Sequence, residues 1–275
     1  MEKGKIRKLN KELSPELESA QDFFIQEAEN NTENYIKKYQ QLDSSINGQY
    51  ICSDLFKETF GKYTESIDTR KKYSEVIHNS AAVLANELFQ RRIVDPNYNK
   101  CIFLTGVPGA GKSFLVQSLA LAGEIDDETL IYEGDITTPS IYEKIEKAAE
   151  NGKELFFIVV NPTLELAQTN AINRSFEIGR GASCETMARI MSKIPNALVE
   201  IKERFPDINI AIYNKTTNYD IEYAIGFDNI SMLDHGTYDE ILEKLRELRL
   251  EILAKKKDSL IENQNLGSDN IERKK

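Results

Sequence analysis

The sequence predicts an α/β three-layer sandwich with a mainly parallel sheet and additional helices at both ends of the chain. Two observations predict this class. After the turn Asp95-Pro-Asn97, short apolar segments alternate with longer segments of helical periodicity. The apolar segments are continuous, which is typical of parallel strands that helices cover on both faces.

The first 48 residues are predicted to form a helical extension. Ser14-Pro15-Glu16 is typical of a helix N-terminus, and apolar residues follow at helical spacing, so a helix is predicted over residues 14–43. Turn-forming residues come next, and then Gln49 to Cys52 is predicted as a short strand. A second helical region is centred on Tyr73 to Gln90.

From residue 100 onwards the predicted strands and helices alternate. In chain order, the strand CIFLTGV precedes a helix from Ser113, the strand LIYEG precedes a helix from Ile141 to Asn151, and the strand LFFIVV precedes a helix from Leu164 to Phe176. A helix from about Glu185 to Phe205 is then followed by the strand INIAIYN. A charged amphipathic helix is predicted from Thr237 to about Lys256, and polar residues 257–275 are predicted to fray. The predicted domains are therefore 1–48, 49–236 and 237–275.

Composition excludes several classes of function. The chain of 275 residues has 45 acidic and 35 basic side chains, so its net charge is -10 and a nucleic-acid partner is not expected. Its longest apolar run, Leu155 to Val160, is far shorter than the roughly 20 residues of a membrane span. No apolar segment follows the N-terminal lysines, so we expect a cytoplasmic protein. Three scattered cysteines and two histidines favour neither a disulfide framework nor a zinc site.

One motif predicts phosphate binding. A GxxxxGK[ST] segment directly follows a predicted strand and directly precedes a predicted helix, which is the context of a P-loop NTPase. Glycines allow the backbone to wrap closely around phosphates, and the helix N-terminus adds partial positive charge. We expect Lys112 to contact the β- and γ-phosphates of ATP or GTP, and Ser113 to ligate Mg²⁺. The segment consists of Gly106, Val107, Pro108, Gly109, Ala110, Gly111, Lys112 and Ser113.

Two carboxylates end the next predicted strand, Ile131-Tyr-Glu-Gly-Asp135. Open parallel sheets bind ligands at the carboxyl ends of their strands, so Glu133 and Asp135 are candidate substrate-binding residues. Either could also hold magnesium through water. The alternative for Asp135 is that it caps the following helix.

A local basic segment, Asn173-Arg-Ser-Phe-Glu-Ile-Gly-Arg-Gly-Ala182, stands out in this acidic chain. Glycines flank Arg180, so we expect a mobile lid that brings Arg174 and Arg180 to the transferring phosphoryl group. The basic residues that follow are interpreted as a solvated helix face with pairs such as Glu185 with Arg189. They are Arg189, Lys193, Lys202 and Arg204.

Taken together, these segments resemble the zeta toxin family of P-loop kinases over roughly residues 100–216. The resemblance is strong at GVPGAGKS and diffuse in the strand end EGD, in NRSFEIGRG, in Pro195-Asn196 and in IAIYNKT. It implies phosphoryl transfer from ATP or GTP to UDP-N-acetylglucosamine, and an antitoxin as a protein partner. Lys112, Glu133, Arg174 and Arg180 match positions that the family uses.

Two departures from the family pattern are evident. The strand end is Glu133-Gly134-Asp135, where the family usually has threonine third. The family's block with a catalytic aspartate normally follows the P-loop helix, but here a similar block, Tyr50 to Phe60, precedes the P-loop. A reordered strand-helix unit would still place Asp54 near the phosphates as the catalytic base. The alternative is that Asp54 caps the next helix.

Three functional hypotheses follow. The first is a small-molecule kinase of the zeta toxin type. The second is a polynucleotide or nucleoside kinase, because lid arginines would serve a 5′ end equally well. The third is a non-catalytic, nucleotide-gated interaction protein whose terminal helices contact a partner.

Overall fold

The computed structural model describes residues 6–272, with side chains up to Asp258, and it confirms the α/β three-layer sandwich. Six strands form one sheet in the order β1-β3-β2-β4-β5-β6. All neighbouring pairs are parallel except β5 and β6. The strands are β1 (Tyr50–Cys52), β2 (Lys100–Thr105), β3 (Thr129–Glu133), β4 (Glu154–Pro162), β5 (Asn209–Lys215) and β6 (Ile221–Ile225).

The N-terminal segment forms two helices, α1 (Pro15–Asn30) and α2 (Thr32–Gln40), where the sequence predicts one. The Ser14 hydroxyl caps α1 by accepting from the Leu17 N–H. Asn31 leaves helical geometry with φ −122 and ψ 26, which separates the two helices. Their apolar faces join the main core, with Phe24 and Tyr39 fully buried.

Helix α2 also protects the edge of the sheet at β1. The Tyr39 hydroxyl donates to the Tyr50 carbonyl (2.8 Å) and accepts from the Cys52 N–H (2.9 Å). These backbone groups lie on the side of β1 that has no neighbouring strand. The Tyr39 hydroxyl therefore makes the two hydrogen bonds that a neighbouring strand would otherwise make to Tyr50 and Cys52. These backbone groups of β1 are then not available to pair with another strand.

We expect Tyr39→Phe to lower the free energy of unfolding by about 2 kcal/mol, because it leaves a buried N–H and a buried carbonyl unpaired. Urea denaturation measures this change. Tyr35→Phe is the matched control, since the Tyr35 hydroxyl bonds only the partly exposed Glu27 carboxylate. Equal losses for the two variants would show that Tyr39 has no special role at the strand edge.

Four helices connect β1 to β2, and only the last was predicted. The predicted helix from Tyr73 to Gln90 begins later, because residues 74–77 form turns after a separate short helix. The final helix buries Leu84, Leu88 and Phe89. The four helices are α3 (Ser53–Lys57), α4 (Gly61–Thr64), α5 (Ile67–Tyr73) and α6 (His78–Ile93).

The helices after β2 agree with the predicted segments to within one or two residues, including Pro195 inside the long fourth one. They are α7 (Lys112–Leu121), α8 (Ser140–Glu150), α9 (Leu164–Glu177) and α10 (Cys184–Arg204). Apolar clusters lie on both faces of the sheet. One combines α1, α2, α6 and α8 with Phe103 and Phe157, and the other combines α7, α9 and the C-terminal helix with Leu104 and Val160.

Two C-terminal features differ from the prediction. Strand β6 was not predicted, since its Tyr223 and Ile225 remain exposed and give no burial pattern. Helix α11 (Tyr238–Glu272) continues through much of the segment predicted to fray, because a helix anchored by buried Ile241 and Leu245 propagates easily through residues without proline. Predictions for residues 273–275 lie outside the described residues. Within residues 6–272, no helix combines the length and the apolar character that a membrane span requires.

Candidate active site

The topology of the sheet brings the candidate residues together at the carboxyl ends of strands β1, β2 and β3. Strands β1, β2 and β3 are parallel, and Cys52 and Leu104 both have Glu133 as their register partner. The three strands therefore end side by side. The segments that leave them carry Asp54, Gly106 and Asp135. The block that precedes β2 in the chain thus lies at the same strand ends as the predicted phosphate loop, Gly106 to Ser113, which is called the phosphate loop below.

The phosphate loop lies between β2 and α7, and two of its glycines are required by close backbone packing. Gly106 has φ +144, and a Cβ there would lie 2.5 Å from the Val160 carbonyl oxygen. Gly109 has φ +88, and its Cβ would lie 2.4 Å from the Ala167 oxygen. The Asn170 side chain also donates to the Gly109 carbonyl (2.9 Å). Strand β4 and helix α9 therefore fix the path of the loop.

We expect Gly109→Ala to destabilise the protein by about 2 kcal/mol more than Gly123→Ala, because overpacking adds to the strain of a left-handed backbone. Gly123 is the matched control, since it also has positive φ (+72) but has nothing within 4 Å of an added Cβ. Thermal or urea denaturation gives both values. If both substitutions cost the same, the contact with α9 does not fix the loop.

Lys112 and Ser113 stand where the motif predicts them, at the start of α7. The Lys112 ammonium donates to the carbonyls of Gly106 (2.8 Å) and Val107 (3.2 Å), so it lies across its own loop. It is also 3.6 Å from a Glu133 carboxylate oxygen. Glu133 therefore lies beside the predicted phosphate loop.

Tyr50 links Glu133 to Ser113. Its hydroxyl donates to the Glu133 carboxylate and lies 3.2 Å from the Ser113 hydroxyl. Burial, with the negative charges around it, raises the pKa of Tyr50 well above its ordinary value, so the phenol stays neutral. Three oxygen-bearing side chains from β1, β3 and α7 thus converge at the loop.

Asp54 forms ion pairs at the second position of α3. Its carboxylate lies 2.9 Å from the Lys57 ammonium and 2.9 Å from the Arg180 guanidinium. The N-cap of α3 is Cys52, and no side chain caps the helix, so Asp54 does not have the capping role that was its alternative. Burial by itself raises the pKa of Asp54, but Lys57 and Arg180 outweigh it and hold the pKa well below its usual range.

The end of helix α9 places the two arginines. Gly179, at φ +73, terminates the helix, and the Arg180 N–H bonds the Arg174 carbonyl (3.1 Å). A Cβ on Gly179 would lie 2.4 Å from the Ile67 carbonyl oxygen. The glycine that predicted a mobile lid is therefore required here by close packing against α5.

Arg174 and Arg180 lie in one electrostatic cluster. Burial and the charge of Arg180 lower the pKa of Arg174, while Asp54 and Glu133 oppose this shift. The Arg180 guanidinium is also 3.6 Å from Glu58, which in turn bonds Arg70 (2.9 Å). The structure thus brings together residues from α3, α9 and the phosphate loop region.

Asp135 has partners other than those predicted for it. Its carboxylate accepts from the Thr137 N–H (2.9 Å) and pairs with Arg189 (3.0 Å). Helix α8 starts five residues later with Pro139 as N-cap, so Asp135 does not cap that helix. Arg189 does not pair with Glu185 as predicted, because Glu185 pairs with Arg246 of α11. Asp135 and Arg189 therefore fix the loop after β3.

Sequence reasoning missed several site residues. Tyr50 gave one signal, since it is a polar-tipped residue in an apolar strand four positions before Asp54. Lys57 looked like any surface lysine, yet its side chain is only 7% exposed. Glu58 and Arg70 gave no signal, because their partners come from segments distant in the chain.

The oxygen donors suit a magnesium ion held mainly by substrate. Among the described residues, no three His, Cys, Asp or Glu side chains are grouped as a metal cage. Mg²⁺ in nucleotide sites commonly takes one or two protein oxygens, with phosphates and water as its other ligands. The exposed Ser113 hydroxyl and nearby Glu133 fit that chemistry.

No protein-family model matches this chain, and no curated protein matches it.

Proposed function

We propose that this chain is a nucleoside-triphosphate-dependent kinase that transfers a γ-phosphate to a hydroxyl group of a small molecule. One observation carries the proposal. Asp54 of α3 and Arg180, just after α9, form an ion pair at the carboxyl ends of the parallel strands, where the phosphate loop also lies. A structural ion pair alone would not explain why an aspartate, two arginines, Lys112 and Glu133 converge there.

On the nucleotide side, the loop from Gly106 to Ser113 binds the phosphates of ATP or GTP. Lys112 exchanges its contacts with the Gly106 and Val107 carbonyls for phosphate oxygens. Ser113 and Glu133 are the residues that would hold Mg²⁺, with Tyr50 orienting both. When bound, Mg²⁺ neutralises charge on the β- and γ-phosphates.

On the acceptor side, Asp54 binds and orients the attacking hydroxyl. A carboxylate has about four lone-pair sites, so its two ion pairs leave room for this hydrogen bond. The acceptor oxygen bonds to the γ-phosphorus, the bond from that phosphorus to the β-bridging oxygen breaks, and the acceptor proton passes to Asp54. A weakly basic carboxylate is adequate, because phosphoryl transfer needs positioning more than early proton removal.

Arg180 and Arg174 supply positive charge for the transferred group. Arg180 holds Asp54 before substrates bind, and it moves its donors to the γ-phosphate oxygens as the acceptor reaches Asp54. The resemblance to zeta toxins supports UDP-N-acetylglucosamine as the acceptor. It also supports a role as a toxin, with a protein antitoxin as the partner.

The test is a transfer assay with purified protein, Mg-ATP or Mg-GTP, and a panel of acceptors. The panel contains UDP-N-acetylglucosamine, other sugar nucleotides, nucleosides and a 5′-hydroxyl oligonucleotide, and mass spectrometry detects the added phosphate. We expect one small-molecule product, lost in Lys112→Ala and retained in Lys193→Ala, an exposed lysine of α10. A product only on the oligonucleotide would favour a polynucleotide kinase, and no product at all would contradict the proposal.

A further inference from the structure

Lys215, the last residue of β5, has a buried ammonium group without a hydrogen-bond partner among the described residues. The residue is 2% exposed, and within the part of the chain that the structure describes, its Nζ atom donates to no hydrogen-bond acceptor. Its backbone is fixed, because it pairs with Pro162 of β4 and its carbonyl accepts from the Thr163 N–H (3.0 Å). Burying an ammonium without an acceptor is costly, so the position calls for an explanation.

The ammonium of Lys215 lies against the phosphate loop. A Cβ added to Gly111 would be 2.8 Å from Nζ, so the tip of the lysine touches the residue just before Lys112. The ring of Phe114 covers it, with the ring centroid 5.4 Å away. Phe114 is itself 50% exposed, so the ring over this cation has one part open to solvent.

The electrostatic setting favours a partner from outside the chain. The ammonium lies near the N-terminus of α7, where the partial charge of the helix is also positive. Burial lowers the pKa of Lys215, and no carboxylate among the described side chains offsets this shift. A hydrogen-bond acceptor on a bound ligand would relieve both costs.

The strand order shows which part of a nucleotide would reach Lys215. Asp54 follows β1 and Glu133 ends β3, on one side of strand β2, whereas Lys215 ends β5 on the other side of β2. A triphosphate whose γ-phosphate pointed towards Asp54 would extend from the loop in the direction of β5. Its nucleoside would then come near Phe114 and Lys215.

We propose that Lys215 and Phe114 form the nucleoside subsite: Phe114 stacks on the base, and the uncovered Lys215 ammonium donates to an acceptor atom of the nucleoside. This inference rests on the proposed function, since it requires a nucleoside triphosphate on the loop. It predicts the direction in which the nucleotide lies on the loop. It also adds a second lysine to the residues that bind the nucleotide.

The test compares wild type, Lys215→Met, Phe114→Ala and the exposed control Lys193→Met by calorimetric titration with Mg-ATP, Mg-GTP and inorganic tripolyphosphate. Lys215→Met is expected to bind its preferred nucleotide roughly tenfold or more weakly, as loss of a charged hydrogen bond predicts. Phe114→Ala is expected to weaken it roughly fivefold or more through lost stacking. Both variants should bind tripolyphosphate within about twofold of wild type, because the phosphate contacts remain.

Thermal denaturation without nucleotide adds a second measurement, in which Lys215→Met is expected to stabilise the protein although it weakens nucleotide binding. Lys215→Met should raise the Tm, because methionine fills a similar volume without a buried, unpaired charge. Wild-type nucleotide affinity in both variants, an equal loss of tripolyphosphate binding, or a lower Tm in Lys215→Met would overturn the inference. Failure of wild type to bind any of the three probes would instead contradict the nucleotide-dependent function itself.

Discussion

Asp54→Asn is expected to lower kcat by about 10²-fold or more, because the carboxylate both positions the acceptor hydroxyl and takes its proton. Asparagine keeps the shape of the side chain but cannot take the acceptor proton, and it weakens the ion pairs with Lys57 and Arg180. Nucleotide affinity should change little, because Asp54 does not contact the phosphate loop. Steady-state kinetics together with nucleotide titration separate these two effects.

Asp68→Asn is the matched control, since Asp68 is exposed on the neighbouring helix α5. It should retain wild-type kcat. Because the pKa of Asp54 is held well below its usual range, the carboxylate is ionised at all pH values above about 4. The wild-type rate should therefore show no loss from Asp54 protonation between pH 5 and pH 8. Wild-type activity in Asp54→Asn would contradict the role of Asp54.

Arg180→Ala is expected to cause the second large effect, a fall in kcat of about 10³–10⁵-fold, as for other arginines that stabilise a transferring phosphoryl group. The Arg180 side chain is only 16% exposed and contacts both Asp54 and Glu58, so its loss also frees the aspartate before substrates bind. Arg204→Ala is the control, because Arg204 pairs with Glu146 on the surface away from the site.

The double variant Asp54→Asn with Arg180→Ala should lose far less activity than the two single effects predict together. The two groups touch at 2.9 Å and act on the same step, so their contributions are coupled. Strictly additive effects would show that the pair does not work as a unit. A kcat for Arg180→Ala within tenfold of wild type would remove Arg180 from the transfer step.

Much of the fold could be predicted from the sequence, because its signals are local. The parallel strands are continuous apolar runs, and the phosphate loop is a contiguous motif whose glycines and lysine appear together in the chain. The helix boundaries from α7 to α10 follow directly from periodicity and caps. Strand β6 was missed because its side chains remain exposed.

The contacts of the site could not be predicted in the same way. Asp54 and Arg180 were both candidates, but their ion pair depends on β1 lying beside β3 rather than beside its successor in the chain. The pairing of Asp135 with Arg189 joins residues 54 positions apart, and no local pattern signals it. The unpaired ammonium of Lys215 emerged only from burial and the position of Gly111.

In the proposed reaction, the γ-phosphate passes to an acceptor hydroxyl at the site formed by Lys112, Asp54 and Arg180. The most direct measurement follows the γ-phosphorus of Mg-ATP or Mg-GTP by ³¹P NMR in the presence of UDP-N-acetylglucosamine or the acceptor found in the panel. Wild type should convert this signal to that of a phosphomonoester, and Asp54→Asn should not. An unchanged signal with bound nucleotide, or conversion to inorganic phosphate alone, would contradict the proposed reaction.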